Sequence, residues 1–140
     1  MPLESNADLE TLVAEFEACT LPHDRWTHPA HVSVATAYTM RFGEDALERM
    51  REGILKLNAT HGVEQTLTGG YHETMTVVWM RLVRHALDSS PPEADPWERV
   101  NLVVDALGDK KLVLNYYSRE AIMSPQARYG WLEPDLAPLP

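Results

Sequence analysis

Cysteine is almost absent from this chain: Cys19 is the only one in 140 residues. No disulfide can form within the chain, and no multi-thiolate metal site can be built from it. Long apolar runs are missing too, with nothing approaching the roughly 20 residues that a membrane-spanning helix needs. Cations are outnumbered, with 12 Lys and Arg against 21 Asp and Glu for a formal net charge of −9. That balance argues against nucleic-acid binding, which rests on neutralising phosphates, and against adsorption to an anionic membrane. The first six residues offer neither a basic stretch nor an apolar core, so the expectation is no signal peptide and a reducing, cytoplasmic location.

What is present is ordinary for a globular protein: 44% hydrophobic and 24% charged residues. Residues 1–140 read as one helical domain, with 1–6 as a flexible N-terminus and 124–140 as a tail packed on the bundle. Leu9, Leu12, Val13 and Phe16 recur at helical spacing in a first helix from Ala7 to Ala18, capped by Ser5 or Asn6. A second runs from Pro29 to Phe42, with His28 as its N-cap and Gly43 at its end. Its near lack of charge marks it as central. A third, Glu44 to Thr60, has an inner stripe of Leu47, Met50, Ile54 and Leu57, and its Gly53 signals a close helix contact. A fourth covers Tyr71 to Leu87, and a fifth begins at Pro96. A sixth extends from Lys110 to Tyr117 or on through Met123, and Leu132 to Pro140 is an extended strap anchored by Trp131 and Leu136. The fold class is all-α, a single-domain bundle of five to six helices.

Chemically loaded residues concentrate in Trp26-Thr27-His28-Pro29-Ala30-His31 and Tyr71-His72-Glu73-Thr74. His28 and His31 stand three positions apart, which on a helix places them about 60° apart around the axis, so both rings can face one point. With His72 they could supply three imidazole ligands and an open position to a divalent metal such as zinc or iron. Glu73 and Tyr71 are the accompanying catalytic candidates, with Glu73 as supporting carboxylate. A metal-free version uses one histidine as base and another as acid. The simpler reading of His31 is a core histidine bonded to a carbonyl or hydroxyl, and that of Glu73 a carboxylate favouring the helix dipole. Arg119, Arg128 and Tyr38 are the substrate-binding candidates, although an arginine in the C-terminal segment could equally lock the tail to Glu73. His23, His61 and His85 are expected to be solvated.

The series Trp26-Thr27-His28-x-x-His31, Gly70-Tyr71-His72-Glu73-Thr74, Tyr116-Tyr117-Ser118-Arg119-Glu120 and Pro134-Asp135-Leu136-Ala137-Pro138-Leu139-Pro140 resembles a family of short bacterial helical proteins with no established activity. The resemblance covers the chain from about Phe16 onward and implies a helical domain in which these segments belong together. Two readings follow. One is a histidine-lined pocket, in a metal-dependent enzyme acting on a small molecule. The other is a metal-free ligand-binding or protein-interaction module in which the His and Glu residues are structural. A homodimer is compatible with either.

Overall fold

The computed structural model describes residues 2–140 and is all-helical, with no strand among the described residues. The first helix, α1 (Asn6–Glu17), starts where the Ser5 hydroxyl accepts the amide of Asp8, and it buries Leu9, Val13 and Phe16. The second, α2 (His28–Phe42), is the central one, packing against every long helix of the bundle. Eight of the nine residues from Ala30 to Tyr38 are buried, His31 being the partly exposed exception. Burying a helix this rich in hydroxyls works because Ser33, Thr36 and Thr39 donate to the carbonyls of Pro29, Val32 and Ala35, at 2.7, 2.7 and 2.8 Å.

The sequence placed the N-cap of this helix at His28, but Thr27 takes the role, its hydroxyl accepting the amide of Ala30. The correction matters for the site. With Thr27 extended, His28 becomes the first helical residue, so His28 and His31 sit one turn apart on the same helix.

Gly43 ends α2 with φ +56° and leads through a 3₁₀ turn, Gly43–Asp45, into α3 (Ala46–Thr60). The contact signalled by Gly53 is with α1: a Cβ there would lie 2.4 Å from Cε2 of the fully buried Phe16 ring. That close approach sets Phe16 beneath Trp26, the two rings stacked at 4.9 Å. α4 (Glu73–Asp88) begins two residues later than its apolar stripe indicated, because His72 caps it. α5 (Pro96–Ala106) closes against α2.

The expected sixth helix is instead a 3₁₀ segment, Lys110–Asn115, followed by two short helices, α6 (Arg119–Ile122) and α7 (Pro125–Tyr129). Ser118 and Ser124 cap these two with side-chain hydroxyls, which explains why each restarts where it does. The chain then runs as a strap over the bundle. Trp131 and Leu136 do not anchor it, being 40% and 59% exposed; Leu132 and Leu139 pack on the core in their place. Leu136 contributes only its backbone amide, which donates to the Tyr116 carbonyl.

Candidate functional site

A cavity of about 540 Å³ opens between the first turns of α2 and α4, the middle of α3, Lys110 and Arg128. That volume falls in the range of small-molecule sites. Its apolar walls come from Trp26, Trp79, Met50, Met75 and Met80; its polar groups are histidines, Asn58, Thr76, Lys110 and Arg128. All three expected imidazoles reach it, His28, His31 and His72, and so does Tyr71. They differ sharply in what their nitrogens are doing.

His72 has both ring nitrogens engaged by backbone. As N-cap of α4 its Nδ1 accepts from the amide of Met75 at 3.0 Å, while Nε2 donates to the carbonyl of Ile122 at 2.7 Å. This arrangement fixes the neutral tautomer, since a proton on Nδ1 would abolish the cap. Burial and the nearby Arg128 charge push its pKa down in the same sense. Replacing His72 by Ala should cost about 2 kcal/mol by leaving an amide and a carbonyl without partners. The Asn variant should recover roughly half of that, because Asn is a good N-cap that cannot reach Ile122. Urea midpoints of the three proteins check the ranking.

His28 donates from Nε2 to the carbonyl of Leu107, just past the end of α5, at 2.8 Å, which leaves its Nδ1 as a lone-pair acceptor. Its ring stands edge-on to Trp79 at 4.7 Å. His31 is the unusual one. Its ring stacks on Trp26 at 3.7 Å, and neither nitrogen makes a hydrogen bond among the described residues. Neither is sealed off, and the residue lines the cavity. Burial first, then the neighbouring His28 and Lys110 charges, push its pKa down to about 4. At neutral pH it is an uncharged imidazole with an unused lone pair. Trp26, held from behind by Phe16, sets the plane in which that lone pair lies.

These assignments correct the expected metal centre. His72 has no nitrogen to give, and no carboxylate lines the cavity among the described residues. No group of three or more His, Cys, Asp or Glu among those residues could hold a metal ion. A catalytic zinc site takes three protein ligands, and of the three expected here only His28 and His31 have nitrogens available.

The expected catalytic pair is also engaged elsewhere. Glu73 does not line the cavity. Its oxygens take a two-pronged grip from Arg51, Nε at 2.9 Å and Nη2 at 2.6 Å, and accept the Tyr71 hydroxyl at 2.6 Å. The Arg51 guanidinium holds the Glu73 carboxyl below its usual range, and burial together with Glu73 pushes the Tyr71 hydroxyl up to about 12. The group is an anchor for the start of α4. Tyr71 is clamped further by the Gln65 amide, which donates to its carbonyl at 2.9 Å and accepts its amide at 2.8 Å. Gly70 precedes it with φ +88°, where a Cβ would meet Gln65 Oε1 at 2.7 Å.

Of the expected substrate contacts, Tyr38 lies in the core, its hydroxyl donating to Glu17 at 3.0 Å, and Arg119 is exposed away from the cavity. Arg128 does line the cavity. It is not locked to Glu73; its Nη1 donates to the Gly70 carbonyl at 2.9 Å and reaches that of Tyr71 at 3.5 Å. Among the presumed solvated histidines, His23 lines the cavity mouth, His61 bonds the Leu21 carbonyl at 2.8 Å, and His85 is exposed as expected. Lys110, Asn58, Trp79 and the methionines were not singled out as site residues. They come from three separate segments, α3, α4 and the 3₁₀ segment after α5, and only the fold brings them together.

The chain finds no match among protein-family models, curated proteins or solved structures. No helix among the described residues is long and apolar enough to cross a membrane.

Proposed function

We propose that this protein binds a small organic molecule in the cavity between α2, α3 and α4, without a metal, and that His31 acts on it as a neutral acceptor or general base. The single observation that carries this reading is the His31 ring: partly buried, locked by stacking on Trp26, and facing a 540 Å³ cavity with both nitrogens unpartnered. His72 gives the contrast: both of its nitrogens are bonded to backbone, whereas those of His31 are accessible and unbonded. The lowered proton affinity suits the role, because the imidazole keeps its lone pair at neutral pH. His28 beside it, with Nε2 fixed on Leu107, has a free Nδ1 as a second acceptor. The aromatic and methionine walls give the ligand an apolar body to bury.

Diethyl pyrocarbonate, which acylates neutral imidazoles, tests the arrangement directly. Peptide mapping after brief exposure at pH 6 should find His31 modified well ahead of His72. In parallel, a fragment screen read by tryptophan fluorescence, sensitive through Trp26 and Trp79, should return ligands that protect His31 and bind at least tenfold more weakly to the His31→Phe protein. A His31 that stays unmodified in the folded protein, or fragments that bind the variant equally well, would sink the proposal.

A further inference from the structure

The charge lining the cavity is opposite to that of the chain around it. The protein carries a formal net charge of −9, and acids outnumber Lys and Arg by 21 to 12. Among the described residues, the cavity is nevertheless lined by Lys110 and Arg128 and by no Asp or Glu. Three acids adjoin lining residues in the sequence, Asp24, Glu73 and Asp109; none of them lines the cavity, and Glu73 is turned into its grip with Arg51.

Arg128 is the more informative of the two cations. It is 7% exposed, so it is among the few buried charged groups here. No carboxylate among the described residues lies within ion-pair distance of it, whereas Arg25, Arg41 and Arg51 all have one. Its Nη1 is taken by the Gly70 and Tyr71 carbonyls, which leaves the edge formed by Nε and Nη2 without an acceptor from the protein. Nε is buried with no partner at all. Burying a guanidinium is costly unless it is paired, and guanidinium donors match the oxygens of a carboxylate or phosphate; on this edge Nη2 is the donor that is not sealed. The two carbonyl bonds fix the plane of the fork, as a preorganised anion site requires. Lys110, on the 3₁₀ segment after α5, adds a second positive charge to the same cavity.

We infer that the molecule bound in this cavity is an organic anion, its carboxylate or phosphate held by Arg128 with Lys110 and its apolar body lying between Trp26 and Trp79. The inference rests on the cavity being a small-molecule site, as proposed above, and adds the chemical class of the occupant. His31 then faces the body of the ligand, where a lone pair can take a proton or accept a hydrogen bond while the anion fixes the pose. A structural purpose for Arg128 accounts for its two carbonyl bonds but leaves its other edge unexplained.

The test compares one shape with different charges: phenylacetate, phenyl phosphate, phenylacetamide and phenethylammonium, each titrated to tens of millimolar and followed by tryptophan fluorescence. At least one of the two anions should bind tenfold or more tighter than the neutral amide, and the ammonium should be weakest. Which anion is preferred separates a carboxylate ligand from a phosphate one. Raising sodium chloride from 20 to 500 mM should weaken the anion severalfold and leave the amide unchanged. Arg128→Gln should lose the preference. Because that change also frees the Gly70 and Tyr71 carbonyls, Lys110→Gln serves beside it on an exposed side chain, with an expected three- to tenfold loss. Arg119→Gln removes the same charge away from the cavity and should change nothing. Equal affinity for anion and amide overturns the inference and leaves the pocket standing. Failure of all four compounds to bind overturns both. An anion preference that survives Arg128→Gln and Lys110→Gln together overturns the assignment to these residues.

Discussion

Lowering the pH from 7 to 5 should cost the folded protein about 2 kcal/mol through His31 alone, rising to about 3 kcal/mol near pH 4. The sign follows from which state takes the proton. In the unfolded chain His31 titrates near 6.5, whereas in the folded protein it holds off until about pH 4. Between those values the unfolded state binds the extra proton and is favoured by it. The contribution is therefore absent above 6.5, grows as the pH falls and levels off below about 4. His72, also pushed down, adds to the loss in the same direction. Glu73 has a lowered carboxyl and is stabilising above the carboxylate range, so its loss enters only at more acid pH. The interval from 6.5 to 5 isolates the histidines. Urea midpoints across it, for wild type and for His31→Phe, measure the effect; phenylalanine keeps a ring on Trp26 and removes the titration. The variant should show a slope shallower by nearly one proton. Equal slopes would mean that His31 takes up its proton in the folded state as readily as in the unfolded chain, so that its surroundings do not hold the proton off.

The same histidine shows how far the sequence could be read. The i, i+3 spacing of His28 and His31 predicts that both rings can face one point, and both line one cavity, with Thr27 rather than His28 as the cap. What spacing could not show was the state of their nitrogens. His72 was read as a free ligand because α4 was expected to start at Tyr71, and histidine is not among the side chains that usually cap helices. Once it caps, at Met75, it is withdrawn from chemistry. Glu73 reads from the sequence both as a supporting catalytic carboxylate and, more simply, as a first-turn or ion-paired carboxylate, and the structure gives it an ion pair outside the cavity. Its partner, Arg51, comes from α3 rather than from the C-terminal arginines, a choice made by helix packing. Of the cationic end of the cavity, Arg128 stands among the substrate-binding candidates of the sequence and does line the cavity, whereas Lys110 is visible there only as a charge in its own segment. Lys110 and Arg128 lie some 80 and 100 residues from the histidines of α2, so their meeting is set by the fold. The helices themselves were legible because caps, glycines and apolar stripes coincide. The C-terminal third was less so: its short helices lack the length for a stripe, and hydroxyl caps at Ser118 and Ser124 start them.

Replacing Thr74 by Val should lower stability by about 2–4 kcal/mol, although the two side chains have nearly the same shape. Thr74 lies in the first turn of α4 and is fully buried. Its hydroxyl donates to the Gly130 carbonyl at 2.7 Å and accepts the Leu132 amide at 3.1 Å, so one oxygen satisfies two backbone groups of the strap. Valine fills the space and leaves both unpaired where water has little access. The Ser variant keeps the hydroxyl and loses one methyl, about 1 kcal/mol, so the order wild type, Ser, Val separates hydrogen bonding from packing. The loss should begin locally. The Tyr117 hydroxyl still donates to the Leu132 carbonyl and Leu136 still bonds Tyr116, which holds the far part of the strap. Hydrogen exchange at Leu132 should therefore speed up under conditions where the amides of α2 stay protected. Arg128 sits two residues before Gly130, so a loosened strap also loosens the guanidinium plane at the cavity. Thr74→Val should accordingly weaken anion binding at 25 °C while the bundle remains folded, whereas Thr74→Ser should not. A Val variant within 0.5 kcal/mol of wild type, with unchanged exchange at Leu132, would show that the strap is held by its other contacts and that Thr74 does not set the position of Arg128.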